Sequence, residues 1–184
     1  MKIGCVILAG GKSSRMGTDK ALLKYQGNTF LSHLQQTFQN FEERLLSRNL
    51  TSSTCEKWIQ ISDLHQGIGP MGGIHTALTY AQSDALVVCA CDTPYITQAL
   101  IDKLIQTYHG EDVLLVQTSD ERLHPLCGIY HKRILPSLES HINSGNYRLM
   151  KWIETLNYTI IPLDEEESTL LVNFNTPKDY ETIK

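Results

Sequence analysis

One junction constrains this chain more than any other: an apolar, β-branched run that breaks into paired glycines and closely spaced cations. Residues 2–8 read KIGCVIL, and AGGKSSRMGTDK follows at once over residues 9–20. A short buried strand feeding such a loop can hold a polyphosphate. Gly10 and Gly11 tolerate φ > 0, so consecutive backbone N–H groups can converge on anionic oxygens. Lys12, Arg15 and Lys20 can then neutralise charge that backbone dipoles alone would leave. The competing reading is a plain surface loop with solvated cations.

Two commoner phosphate motifs are excluded. A Walker A loop requires Gly five residues before the Gly of its Gly-Lys pair, and Val6 occupies that position. The dinucleotide fingerprint G-x-G-x-x-G also fails, because Gly10 and Gly11 are adjacent and the next glycine is Gly17.

A length of 184 residues predicts one domain with a sizeable core. The net charge of −4 gives no bulk attraction for nucleic acid or an anionic membrane, so any anion site must be a local basic cluster. Lys12, Arg15 and Lys20 form the densest one. Cys5, Cys55, Cys89, Cys91 and Cys127 show no C-x-x-C spacing and no His pair at zinc spacing, so they read as small buried thiols in a reducing cytosol. Ile3–Leu8 is too short for a signal peptide, and no stretch has the length of a membrane span. The expected location is cytoplasmic.

Strand and helix patterns alternate, which predicts an α/β fold with a mostly parallel central sheet. Phe30, Leu31, Leu34, Phe38 and Phe41 recur at helical spacing, as do Ile74, Ala77, Leu78 and Ala81, then Ile96, Leu100, Leu104 and Tyr108. Residues 85–90 form a continuous apolar run, as in a central strand covered on both faces. Leu45–Leu46, Trp58–Ile61, Val113–Val116 and Leu126–Tyr130 read as further strands. Helices are expected near Ile134–Ile142 and Leu149–Leu156. Tyr158–Ile161 and Leu170–Phe174 are expected to close the sheet, with a last short helix after Pro177. Glu165–Glu167 reads as a solvated loop.

Ligands of open α/β sheets collect at the carboxyl ends of the strands. Asp92 falls at such an end, just after the run 85–90, and a lone carboxylate beside a polyphosphate suits Mg²⁺. Its alternative is to cap a helix begun by Thr93-Pro94. Gly69-Pro70 to Gly73 would let backbone approach a ligand, or is an ordinary loop-to-helix turn. Arg148 follows a Gly145-Asn146 turn signal at a helix start and suits a phosphate. Asn173 and Asn175, two apart on an expected strand, could face one heterocycle or serve as turn residues. With no nucleophile motif such as G-x-S-x-G, His124 does not read as a catalytic base.

L-A-G-G-K-S-S-R-M-G-T-D-K at Leu8–Lys20 resembles the signature of nucleotidyltransferases, most closely the molybdenum cofactor guanylyltransferases. G-P-M-G-G-I at Gly69–Ile74, C-D-T-P at Cys91–Pro94 and H-P-L-C-G-I-Y at His124–Tyr130 extend the resemblance. N-Y-R-L-M-K-W at Asn146–Trp152 and N-F-N-T-P at Asn173–Pro177 complete it, in family order. Gly72-Gly73 stands where the family more often has Ala-Gly.

The resemblance implies a three-layer, Rossmann-like nucleotidyltransferase fold over residues 1–184, nucleotide-binding in its N-terminal half and molybdopterin-binding in its C-terminal half. It implies transfer of GMP from GTP to molybdopterin with release of pyrophosphate. Arg15, Lys20 and Asp92 would be catalytic, and Asp92 would hold Mg²⁺. Leu8, Ala9, Gly10, Gly11, Lys20, Asn49, Asp63 and Asp92 would bind GTP, and Arg148, Asn173 and Asn175 would bind molybdopterin, while His124, in a segment resembling the family's H-P-L, would be structural or on the pterin side. Proteins that supply molybdopterin and apoenzymes that receive the product would be transient partners. The rival readings are cytidylyl transfer to molybdopterin or a sugar phosphate on the same fold, and a non-catalytic module that hands on molybdopterin. Ala9-Gly10-Gly11 favours guanine, since cytidylyl relatives usually show Ala-Ala-Gly.

Overall fold

The computed structural model describes residues 1–10, 20–48, 57–174 and 179–180, with Lys20 as backbone only. Ile3–Leu8 is β1, and every residue after Ile3 in it is buried. Lys24–Tyr25 (β2) and Asn28–Thr29 (β3) form a small hairpin whose turn residues Gln26 and Gly27 both have positive φ. Phe30–Thr37 is α1, capped by Thr29, whose side chain accepts from the Ser32 N–H. Arg44–Ser47 (β4), Ile59–Ile61 (β5), Pro70–Tyr80 (α2), Ala85–Ala90 (β6) and Gln98–Thr107 (α3) follow. Val113–Gln117 (β7), Leu123–His131 (β8), Leu135–Asn143 (α4), Leu149–Ile153 (α5), Tyr158–Pro162 (β9) and Glu165–Ser168 (α6) complete the order.

Seven strands form one sheet in the order β5-β4-β1-β6-β8-β7-β9. Every pairing is parallel except the two that β8 makes, with β6 and with β7. Alternate residues feed two cores, so the architecture has three layers. Cys5, Ile7, Val87 and Cys89 pack under α1 and α3. Val6, Leu8, Leu86 and Val88 pack under α2, α4 and α5. The strand β6 is buried along its whole length, as its unbroken apolar run predicts.

Three expectations need correction. The antiparallel strand β8 is longer than Leu126–Tyr130 and loses step with β7 between Leu115 and Val116. Leu170–Phe174 adds no strand: Thr169–Leu171 is a 3₁₀ turn, and Phe174 packs with Leu23 and Phe30 in a separate cluster. Glu165–Glu167 is not a loop but the body of α6. Asp164 and Glu167 form a reciprocal capping box there, and acidic residues in the first turn suit the positive helix end. Lys103 Nζ binds both Glu167 carboxylate oxygens, at 2.6 and 2.7 Å, tying α6 to α3. The helix expected after Pro177 lies outside the described residues, apart from Asp179 and Tyr180.

The contact of α2 with α4 buries an imidazole. His75 is buried, its ring 4.8 Å from that of His65 and its Nε2 3.5 Å from Glu139 Oε1, with no hydrogen bond formed at either nitrogen. Burial lowers its pKa below the usual 6.5 and His65 adds to this, while Glu139 opposes both. The unfolded chain therefore binds this proton first as pH falls. The stabilisation is complete above about pH 6.5 and shrinks as pH drops below it towards the lowered folded value. His75→Gln should flatten the dependence of the urea midpoint on pH between about pH 7 and pH 5. An unchanged slope would show that other histidines carry it.

Candidate active site at the carboxyl edge of the sheet

The site begins where β1 and β6 end together. Leu8 pairs with Ala90, and the ladder runs one step further: Cys91 N–H donates to Leu8 O at 3.0 Å. On the other side of β1, Ala9 N–H donates to Ser47 O at 2.9 Å. Ala9-Gly10 and Asp92 thus leave adjacent strands at one edge. The chain returns from the glycine-cation loop at Lys20, which opens a 3₁₀ turn over Lys20–Leu22. Ala21, the next residue, is fully buried in the core that holds Ile7, Cys91 and Ile96.

Asp92 is half-buried in a turn, not at a helix cap. The helix α3 starts only at Gln98 and takes its cap from Thr97, which accepts from Leu100 N–H. Thr93 Oγ1 donates to Ala90 O at 2.9 Å and fixes the turn. Phe174 N–H donates to Asp92 O at 3.1 Å, bringing Asn173 beside Asp92. Asn173 lies off the sheet, its Oδ1 buried without a hydrogen-bond partner among the described residues.

A second cluster adjoins Gly10. Ser47 is 1% exposed, and its hydroxyl donates to Asp63 Oδ1 at 2.7 Å. A Cβ on Gly10 would stand 3.5 Å from Asp63 Oδ2. One on Gly73 would stand 3.1 Å from Leu8 Cδ2 and 3.3 Å from Ser47 Oγ. The helix α2 approaches this closely because Gly69, at φ +70°, turns into Pro70, and because Gly72 leaves room for His65 O, 2.5 Å from where its Cβ would be. Leu64 N–H donates to Thr76 Oγ1 at 2.9 Å and fastens the Asp63 segment to α2. Sequence reasoning missed Ser47. The available signal was a hydroxyl closing an otherwise apolar strand, Leu45-Leu46-Ser47.

The structure therefore gathers Leu8, Ala9, Gly10, Asp63, Asp92 and Asn173 at one edge. Gly11, Arg15, Asn49 and Asn175 lie outside the described residues, as does the Lys20 side chain. Arg148 is exposed at the start of α5, and no hydrogen bond or ion pair among the described residues ties it to Asp92. Beside the edge, a cleft of about 730 Å³ is lined by Tyr25, His33, Gln36, Tyr95 and Leu170 among others. Among the described residues its lining carries no Lys, Arg, Asp or Glu.

Cys5, Cys89, Cys91 and Cys127 are buried free thiols. Burial pushes Cys127 up to about 12 and raises Cys5 and Cys89 as well, so these three are protonated at neutral pH and cannot serve as thiolate nucleophiles. No group of three acidic, His or Cys side chains able to enclose a metal occurs among the described residues. The edge instead offers the Asp92 carboxylate, in the turn that follows β6. Such a hard oxygen donor fits a divalent ion that completes its shell with water and phosphate oxygens.

The fold and this edge define a nucleotidyltransferase. Residues 5–159 match the MobA-like NTP transferase domain. A "Probable molybdenum cofactor guanylyltransferase" of Flavobacterium johnsoniae is 34% identical, with 92% of this chain and 90% of the relative covered. A molybdenum cofactor guanylyltransferase of Vibrio parahaemolyticus is 29% identical over 95% and 91%. The crystal structure of the molybdopterin-guanine dinucleotide biosynthesis protein A of Archaeoglobus fulgidus superposes with a TM-score of 0.82 at 26% identity, covering 100% of this chain and 96% of that one. The chain belongs to the MobA-like NTP transferases, in the family of the molybdenum cofactor guanylyltransferases.

The Ser47–Asp63 bond yields a direct expectation. Ser47→Ala should weaken nucleoside triphosphate binding by about 1 kcal/mol, roughly fivefold in Kd by calorimetry, with the circular dichroism spectrum unchanged. Ser47→Thr should recover most of the loss. Unaltered affinity in the alanine variant would remove this pair from the nucleotide site.

Proposed function

We propose that this chain transfers GMP from GTP to molybdopterin, forming molybdopterin guanine dinucleotide and pyrophosphate in the cytoplasm. The observation that supports it most is the shared edge: the backbone of Leu8–Gly10, the Asp63 carboxylate and the Asp92 carboxylate converge there from β1, β5 and β6. In this reading one domain spans residues 1–184, with the nucleotide towards its N-terminal half and the pterin towards its C-terminal half.

A terminal phosphate oxygen of molybdopterin attacks the α-phosphorus of GTP. The new P–O bond forms as the bond between Pα and the bridging oxygen to Pβ breaks, and the electron pair leaves with pyrophosphate. The nucleophile is already ionised, so no general base is needed. Phosphoryl-type transfer asks the protein mainly for positioning and for stabilisation of charge. Leu8, Ala9, Gly10 and Gly11 hold the nucleotide through main chain, and Asp63, with Asn49, reads its guanosine portion. Arg15 and Lys20 offset charge on the α-phosphate and the departing pyrophosphate. Asp92 holds Mg²⁺, which supplies Lewis-acid stabilisation of phosphate oxygens when bound. Arg148, Asn173 and Asn175 face the pterin and its phosphate, and the proteins that supply molybdopterin or receive the product dock transiently.

Pyrophosphate release with molybdopterin and each nucleoside triphosphate in turn tests the reading. Turnover with GTP is expected; turnover with CTP would instead make the chain a cytidylyltransferase, and binding without release would make it a carrier. Lys20→Ala should lower kcat/KM by about 10²-fold or more with the fold intact, by the magnitude seen when a charge-stabilising donor is lost. Near-normal turnover in that variant would take Lys20 out of the catalytic set.

A further inference from the structure

Thr118 and Asp120, in the turn between β7 and β8, meet His124 near the start of β8. Thr118, buried just past the end of β7, has its Oγ1 2.6 Å from Asp120 Oδ1, 3.1 Å from Arg122 O and 3.1 Å from His124 Nε2. A hydroxyl has one proton to give. The carboxylate is the nearest and strongest acceptor, so the proton points at Asp120. The Arg122 carbonyl, the alternative, also only accepts. Either way the contact with His124 forms only when Nε2 carries hydrogen and donates to Thr118. The neutral ring is thereby fixed as the Nε2–H tautomer, and Nδ1 keeps its lone pair. Among the described residues Nδ1 makes no hydrogen bond, and it is not one of the buried unpaired atoms, so solvent or a ligand reaches it.

The position of the ring is as informative as its tautomer. The pairing of β6 with β8 matches Cys89 with Cys127. Beyond that pair β8 shifts register, and His124 pairs with Val116, one residue before the carboxyl end of β7, a strand that runs parallel to β6. In the sheet order β1 lies on one side of β6 and β8 on the other. The glycine-cation loop leaves from β1, whereas His124 stands at the same carboxyl edge on the β8 side of β6. In-line displacement brings the nucleophile in opposite the leaving pyrophosphate. With pyrophosphate leaving on the glycine-cation side, as the transferase reading has it, the acceptor substrate enters from the β8 side.

We propose that His124 binds the acceptor substrate, with Nδ1 accepting a hydrogen bond from a ring or amino N–H of its heterocycle, and that Thr118 and Asp120 are positioning residues that fix the tautomer. This rests on the transferase reading above. Burial and Arg122 lower the His124 pKa, with Asp120 opposing, which keeps the ring uncharged at neutral pH. The groups that act on it electrostatically are thus Arg122 and Asp120, both from its own hairpin.

Long-range ¹H–¹⁵N spectra of the uniformly labelled protein test the tautomer without any substrate. The His124 ring should show a pyrrole-type Nε2 and a pyridine-type Nδ1, and Thr118→Val should lose that bias. A wild-type ring protonated at Nδ1 when neutral would overturn the positioning argument, whatever the enzyme's activity. Kinetics test the contact. His124→Gln, which keeps a polar atom only at the ε position, should raise KM for molybdopterin roughly 5- to 10-fold and leave KM for GTP unchanged. His124→Asn, with an oxygen near the former Nδ1, should retain most of the affinity. An unchanged molybdopterin KM in His124→Gln would overturn the contact. If no nucleotide supports turnover, the transferase reading fails, and a fluorescence titration of molybdopterin into the same variants still decides the contact.

Discussion

The parallel pairing of β1 with β6 is the constraint on which the site depends. Both strands are buried on both faces, and their residues alternate between the α1/α3 core and the α2/α4/α5 core. A slip of one residue would exchange these sets, sending Val6 and Leu8 into the layer that now receives Cys5 and Ile7. Register is thus fixed by packing on two sides at once. Because the strands are also parallel, their carboxyl ends emerge together. Asp92 and the Ala9-Gly10 backbone are neighbours for that reason, although they lie more than eighty residues apart in the chain.

The elements governed by hydrophobic period were legible in the sequence, and those governed by tertiary contact were not. The strands β1 and β6 and the helix α2 follow from their apolar patterns. The direction of β8 does not, since alternation is the same for parallel and antiparallel strands. Leu170–Phe174 is apolar enough for a strand, but its outcome was decided elsewhere. Phe174 stacks 5.4 Å from Phe30 and 5.4 Å from Tyr95, and its N–H is used by Asp92 O rather than by a neighbouring strand. For Glu165–Glu167 the sequence did hold the answer. The pair Asp164 and Glu167 has capping-box spacing, a local rule more specific than the general expectation for a charge run.

At the site, the carboxylates and glycines were readable because their chemistry is visible in residue type. Ser47 was not, because a serine announces nothing until its neighbour is known. Its value comes from a position where β4, Asp63 and Gly73 meet. That side of the edge is braced from several directions: β4 supplies Ser47, β5 leads to Asp63, and α2 holds Leu64 through Thr76. The β8 side is built differently, from one hairpin whose Thr118 orders a carboxylate and an imidazole. A base edge needs fixed donors and acceptors set against a rigid backbone, whereas an incoming acceptor needs an uncharged contact that does not compete for the triphosphate.

The two sides are joined behind Asp92 by one small aromatic cluster. Leu23 and Phe30, which follow the return of the glycine-cation loop, pack with Phe174, and Tyr25, Tyr95 and Tyr180 close around them. Tyr180 OH also accepts from Lys24 N–H and donates to Lys24 O. The same apolar contacts thus anchor the exit of the glycine-cation loop and the segment that brings Asn173 beside Asp92. They do so while leaving Asn173 Oδ1 buried and unpaired, an arrangement that costs about 1–3 kcal/mol in an isolated protein. On the proposed reading that cost is recovered when a heterocycle N–H reaches the oxygen, so part of the acceptor's binding energy is stored in the folding of the cluster.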